Sequence, residues 1–480
     1  MKTEFKTFYT QMALELLNGN LTFFMGTGFS MQLTNGQAPS YERLLFEVLE
    51  SVENRLEEAS NNHDEKWIDE KKTQKNECVQ LKKQLFSEHH RAKYDLQITA
   101  QIIEDFCNRC EQDSKVVVAD CIGNDTEDGK IDKQQVNKLK ESLMSFSDGK
   151  QIANVNFITT NYDDLIGGSC LEGNCNRIFG NKIESSMKKN MPDVYHIHGV
   201  ASNPKSMVLT MKDYFKFERS NDYIFHKFYS LLYETTVVIM GYSLQDFDLN
   251  LFLSEVNDFK KQSMREKNIF YISRNSVDHL FKEYYFLNYG IRVIDNTEID
   301  EFFLNLANTR EDADEVMSLD FGELLKGDNE VEDELLHNQM GLGQICAGLS
   351  SVSSSLNDPK TLHFIFGLVE RKLVFTKEPK RFEQYVHLAS WLIFLLKNLD
   401  FERLTITDEK RFEKFLQYSF ENMSKELNPG YSWNAYAEWK RRIKELNPKQ
   451  REYLLRFIED RKFKPENNVD GIKNELNLAQ

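Results

Sequence analysis

The chain has 480 residues, with 60 Lys and Arg against 76 Asp and Glu, for a net charge of −16. That length exceeds one compact core and calls for two or three domains. The charge argues against gripping a nucleic-acid backbone, which needs clustered cations.

Met1-Lys-Thr-Glu-Phe-Lys leads into a helical pattern without the apolar core of a signal peptide. Phe5, Phe8, Met12 and Leu16 recur at helical spacing and Asn18-Gly19 ends the run. A helix over 5–17 is expected, covering one face of a sheet. The longest apolar run, Trp391 to Leu396, falls far short of the ~20 residues of a membrane helix. An odd set of 7 cysteines fits a reducing compartment better than a disulfide framework. The expectation is a cytoplasmic protein with no membrane partner.

Leu21-Thr-Phe-Phe-Met25 reads as a buried strand of a parallel sheet. At Gly26-Thr27-Gly28 two glycines leave no Cβ in the way of an approaching pyrophosphate. Ser40 as N-cap, Glu42, and Leu44, Leu45, Val48 and Leu49 on one face predict the following helix. Together these make a phosphate-binding βα unit. The dinucleotide fingerprint is incomplete, because Met31 stands where a third glycine belongs and Glu47 and Glu50 fall within the helical pattern. A glycine turn without a ligand is the plain alternative at this point.

From about 50 to 150 Lys, Glu, Gln and Asn dominate, which predicts a helical insertion, partly disordered between Gly123 and Gly149. Its one β-like run is Val116-Val-Val-Ala119. Between 151 and 310, strands are expected at 154–158, 194–197, 207–209, 235–240, 268–272 and 291–294, with helices at 225–233 and 300–306. This rhythm predicts an α/β fold with a Rossmann-like, doubly wound parallel sheet. The acidic run from 311 to 334 reads as a linker. From 335 to 480, apolar residues at helical spacing, such as Trp391, Leu392 and Leu395, predict a mostly α-helical C-terminal domain. The expected domains are therefore 1–310, the linker 311–334, and 335–480.

Four expected strand ends carry polar motifs: Gly26-Thr-Gly-Phe-Ser30, Thr159-Thr-Asn-Tyr-Asp163, His196-Ile-His-Gly199 and Gly241-Tyr-Ser-Leu-Gln-Asp-Phe-Asp248. Asn161, a neutral donor and acceptor, can orient a ribose hydroxyl or a water. His198, of a residue type that titrates near neutrality, suits a general base. Each also has a bland reading, as a structural histidine or a helix cap.

In this order the motifs resemble the sirtuin-like superfamily, with Thr27 in place of its usual alanine. The wording, including Lys212-Asp-Tyr214, is similar to the bacterial anti-phage NAD hydrolases, the Thoeris effectors and defence-associated sirtuins. The resemblance covers about 20 to 300 and excludes the insertion. It implies NAD+ as substrate, cleaved to ADP-ribose and nicotinamide, with Asn161 and His198 catalytic. Family pattern places a glycine after the catalytic histidine, which selects His198 over His196. The glycine turn Gly26-Thr27-Gly28 is expected at the pyrophosphate, Ser30 directly after it at the adenosine half, Asp163 at the neighbouring loop or the nicotinamide amide, and Thr160 among the NAD-binding residues. Gly241, Ser243, Asp246 and Asp248 either reach the adenosine half or cap the next helix.

Deacetylase sirtuins hold zinc with cysteine pairs after His-Gly, whereas Cys107-x-x-Cys110 and Cys170-x4-Cys175 precede His198. Buried free thiols and no metal are expected. A lethal hydrolase needs restraint, so self-association through the helical regions, a HerA-type helicase ATPase or a phage protein are the expected partners. A protein-lysine deacylase and a non-catalytic NAD or ADP-ribose sensor stay open.

Overall fold

The computed structural model describes residues 3–60, 65–125, 129–147, 155–180, 191–219, 223–242, 253, 269–319, 324, 333–337, 339, 341–351, 356, 358–378, 382–426, 431–443, 446 and 448–478. The chain forms two compact units, one of Glu15–Lys260 with Lys267–Asn308 and the other of Met1–Leu14 with Thr309–Gln480. Among the described residues no helix is long and apolar enough to cross a membrane.

The first unit is built on a seven-stranded, all-parallel sheet in the order β3-β4-β2-β1-β5-β6-β7. Its strands are β1 (Leu21–Met25), β2 (Asn156–Thr159), β3 (Asn176–Phe179), β4 (Asp193–His196), β5 (Thr236–Met240), β6 (Ile269–Ile272) and β7 (Ile291–Ile294). The central strands β1 and β5 are buried at every residue, as helices on both faces require. On one face Phe23 packs against Phe157, Phe302 and Phe303, the last two from the helix Ile299–Ala307. On the other, Phe24 packs against Phe228 and Tyr242.

Three expected elements differ. The turn at Gly26 opens directly into a short helix, α2 (Thr27–Leu33), ahead of the Ser40-capped helix α3 (Tyr41–Ala59). The β-like run 116–119 lies in a helix, because Val117, Val118, Cys121 and Ile122 bury one helical face. Met207–Leu209 is extended but belongs to no strand of the sheet.

In the insertion, helices over Glu65–Leu85, Leu96–Arg109 and Ser114–Asp125 join α3 around one apolar cluster that includes Cys78, Cys107 and Cys110. The stretch from 123 to 149 contains the helix Lys133–Met144, capped by Asp132 and burying Val136, Leu139 and Leu143. It packs on the α/β layer, where Lys138 Nζ bonds Asp300 Oδ2 at 3.0 Å. Residues 126–128 and 148–150 lie outside the described residues.

The second unit is mostly helical over its described residues from 333 to 478, with an isolated bridge between Met423 and Ser432. Trp391, Trp439, Phe366, Leu416 and Phe420 form its buried interior. The acidic stretch begins as a helix, Arg310–Met317, with Ala313 and Val316 buried. The N-terminal helix Thr3–Leu17 is divided between the units, its residues up to Leu14 grouping with the helical one.

Candidate functional site

Strand order alone gathers the motifs, since the four strands that carry them, β4, β2, β1 and β5, are adjacent. Their ends are level: Met25 is in register with Thr159 and Met240, and Thr159 with His196. The chain reverses direction of travel between β1 and β5, and crevices beyond the carboxyl ends at such a point are the usual ligand sites of open α/β sheets.

Asn161 is the centre of the polar network. Its Nδ2 donates to Gly26 O at 3.0 Å and to Ser30 Oγ at 2.8 Å. Ser30 Oγ in turn donates to Asp163 Oδ2 at 2.7 Å. Two donors fixed in this way fix the amide plane, so the direction of Oδ1 is set as well. Asn161 is 5% exposed, and its Oδ1 has no partner among the described residues. A buried acceptor without a donor is costly and is commonly completed by a ligand or water. Burial raises the Asp163 carboxyl above its ordinary range, against the lowering effect of the Ser30 hydroxyl and the Leu165 amide. Thr160 Oγ1 accepts from Tyr242 OH at 2.9 Å.

Both histidines sit at the end of β4. His198 is half-buried, with Tyr214 and Phe217 edge-on at 5.2 and 5.9 Å between ring centres. Burial pushes its imidazole down to about 4. An imidazole lowered in this way is neutral at physiological pH, the form in which it can accept a proton. Gly199 follows it at φ +83, and a Cβ there would collide with Ser206 O, so the glycine is required by the turn. His196 is 1% exposed, its Nδ1 is 3.4 Å from Asn161 O, and burial pushes it down to about 4 as well. The Asn161 carbonyl assigns the proton to Nδ1, leaving Nε2 without a partner among the described residues.

The glycines serve a purpose the sequence does not reveal. A Cβ on Gly26 would collide with the Tyr242 ring, and one on Gly28 would lie 2.9 Å from Gly241 Cα. The Gly28 amide donates to Gly241 O at 2.8 Å. These positions are small because the β1 and β5 turns pack backbone to backbone, an account that needs no approaching pyrophosphate. Thr27 opens α2 between them. Ser243, Asp246 and Asp248 lie outside the described residues.

Tyr242, Tyr214 and Phe217 escaped sequence reasoning, because half-buried aromatics on helices and turns read as core. The Lys212-Asp-Tyr214 string and the Gly241-Tyr-Ser motif contain Tyr214 and Tyr242 without giving either a role, and nothing pointed to Phe217. None of the 7 cysteines forms a disulfide, and burial pushes the thiols of Cys78, Cys107 and Cys170 up to about 12. The two pairs are apart: Cys107 and Cys110 sit in the insertion's cluster, while Cys170 ends the single π-turn Leu165–Cys170 before β3.

Residues 155–294 match the SIR2-like domain family. The match contains β2 to β7 with Asn161 and His198, and leaves out β1 and its glycine turn. Defense-associated sirtuin 2 of Bacillus subtilis is 25% identical over 142 residues, 29% of this chain and 14% of that protein. The chain thus spans a small fraction of that relative's length.

Proposed function

Starting from a chain that carries a SIR2-like domain, a kind of domain that uses NAD+, we propose that it hydrolyses the nicotinamide–ribose bond of NAD+ in anti-phage defence. The products are nicotinamide and ADP-ribose. The observation that carries this reading is the fixed Oδ1 of Asn161, without a partner among the described residues, amid the Ser30–Asp163 network and on a loop whose carbonyl meets His196 at the end of β4.

The chemistry asks little acid–base strength of the protein. The C1′–N bond breaks with its electron pair going to the already cationic pyridinium nitrogen, so the leaving group needs no proton. An oxocarbenium-like centre forms, as in glycoside hydrolysis. Asn161 Oδ1 accepts a hydrogen bond from a ribose hydroxyl or the attacking water and so fixes its position. Water oxygen bonds to C1′ and its proton passes to a neutral imidazole, for which His198 is the candidate. A base of low pKa suffices where the leaving group has largely departed before attack. Ser30 and Asp163 hold Asn161 in place.

The helical unit exposes Val374, Phe382, Ile406 and Trp433 at 49% to 74% of their surface. Homo-oligomerisation through the helical regions, or binding of a separate ATPase or phage protein, is the proposed restraint. Light scattering of the full chain tests the first: a monomer at micromolar concentration would refute it. The hydrolase reading is tested by following nicotinamide release from NAD+ with and without an acylated peptide. Release that needs the peptide would mark a deacylase, and binding without release a sensor.

A further inference from the structure

The segment joining β4 to the helix Met211–Arg219 is gripped from outside the α/β layer. We propose that Lys115, on the insertion helix Ser114–Asp125, is a positioning residue that sets His198 through this segment; the inference rests on the hydrolase reading above. The direct backbone hold on His198 is the Val208 amide, which donates to His198 O at 2.9 Å. Residues 207–209 have no strand partner, so three successive carbonyls must find donors elsewhere.

Side chains from three separate elements supply them. Lys115 Nζ donates to Met207 O at 2.7 Å, Tyr162 OH to Val208 O at 2.6 Å, and Tyr41 OH to Leu209 O. Burial raises both phenols well above their ordinary range, so they remain donors. Lys115 Nζ also lies 2.8 Å from Asp213 Oδ2, which accepts from the amides of Leu209 and Thr210 at 3.1 and 3.2 Å. One ammonium therefore fixes both the first carbonyl and the carboxylate that caps the far end.

Met207, Leu209 and Tyr162 are buried in the same apolar cluster as the insertion helices. The insertion is thus coupled on one side to the loop after Asn161, through Tyr162, and on the other to the His198 carbonyl, through Val208. Lys115 is the member suited to a test. Tyr162 adjoins Asn161, and Tyr41 packs on the cluster, whereas Lys115 is not one of the cluster's residues and its ammonium meets polar partners, Met207 O and Asp213. A ligand or protein that displaced the insertion helix would act on NAD turnover by this route.

The test compares Lys115→Met and Lys115→Arg with the wild-type full chain, using hydrogen exchange over 198–210, nicotinamide release and thermal melting. Lys115→Met should exchange faster at Val208, Leu209 and Thr210 and lose about tenfold or more in turnover, since small displacements of a reacting group carry such costs. KM for NAD+ should stay within about twofold, and Lys115→Arg should restore both signals. Wild-type exchange in Lys115→Met overturns the proposal, as does faster exchange with unchanged turnover. Should Lys115→Met fail to fold, Asp213→Asn, which removes the charge and keeps the cap's shape, carries the same expectation. If the wild type itself releases no nicotinamide, the hydrolase reading fails, and exchange at Val208 alone decides whether Lys115 holds the His198 segment.

Discussion

Gly28 donates its amide to Gly241 O at 2.8 Å, and a Cβ on it would stand 2.9 Å from Gly241 Cα. The β1 and β5 turns therefore close on each other through glycine backbones. Gly28→Ala must push these turns apart and should cost about 1–3 kcal/mol of stability. Urea unfolding of the variant measures this, and a wild-type midpoint would show that the turns can separate without cost. A loss of NAD+ affinity in Gly28→Val is for this reason no clean sign of a pyrophosphate contact.

Asn161→Ala removes a fixed acceptor together with the donors to Gly26 O and Ser30 Oγ. Loss of one pre-oriented polar group in an active site typically costs about 100- to 1,000-fold in turnover. That loss is expected here with the fold retained by circular dichroism. Ser30→Ala should cost less, because Asn161 keeps its bond to Gly26 O. Equal turnover in Asn161→Ala and wild type would remove Asn161 from the chemistry.

The two histidines should part in their phenotypes. His198→Ala is expected to abolish nicotinamide release with little change in melting temperature, since the ring is half-buried. His196→Ala empties a site that is 1% exposed, so it should lower the melting temperature by several degrees and keep substantial turnover. A dead His196→Ala beside an active His198→Ala would show that the roles are reversed.

Folding stability should fall as the solution is acidified. His196 and His198 are held down to about 4, against an ordinary value of 6.5. Between those values the unfolded chain binds protons that the folded chain refuses, so acid favours unfolding. His387 in the helical unit, also lowered to about 4, acts with the same sign. Above about pH 6.5 these groups contribute no slope. Urea midpoints of wild type and His196→Ala, taken from about pH 7 to about pH 5, check this, since Asp163 and Asp164, raised by burial, act with the opposite sign; an identical slope in both proteins would contradict the neutral assignment of His196. Turnover should likewise show no loss from protonation of His198 until well below pH 6.

The sheet was legible where burial is complete. Runs such as 21–25 and 236–240 must be apolar throughout because helices cover both faces, and their ends gather the motifs. The strand Asn176–Phe179 was missed because it is an edge strand with only Ile178 buried. Val116–Ala119 misled because β-branched residues are read locally, while their burial follows a helical face set by the insertion's core. Met207–Leu209 misled for the opposite reason: it is extended and apolar, yet its hydrogen bonds go to Lys115, Tyr162 and Tyr41 rather than to a neighbouring strand. The motifs named the candidate residues. The Asn161–Ser30–Asp163 network and the packing reason for the glycines depend on partners far away in sequence.

The central claim is that this chain cleaves NAD+ with water. Purified full-length protein incubated with NAD+ alone, with nicotinamide and ADP-ribose followed by chromatography, tests it most directly. Equimolar release of both products is expected, independent of any acylated peptide and absent in Asn161→Ala. An active, folded wild-type preparation that binds NAD+ and releases neither product, or releases nicotinamide only when an acylated peptide is added, would contradict it.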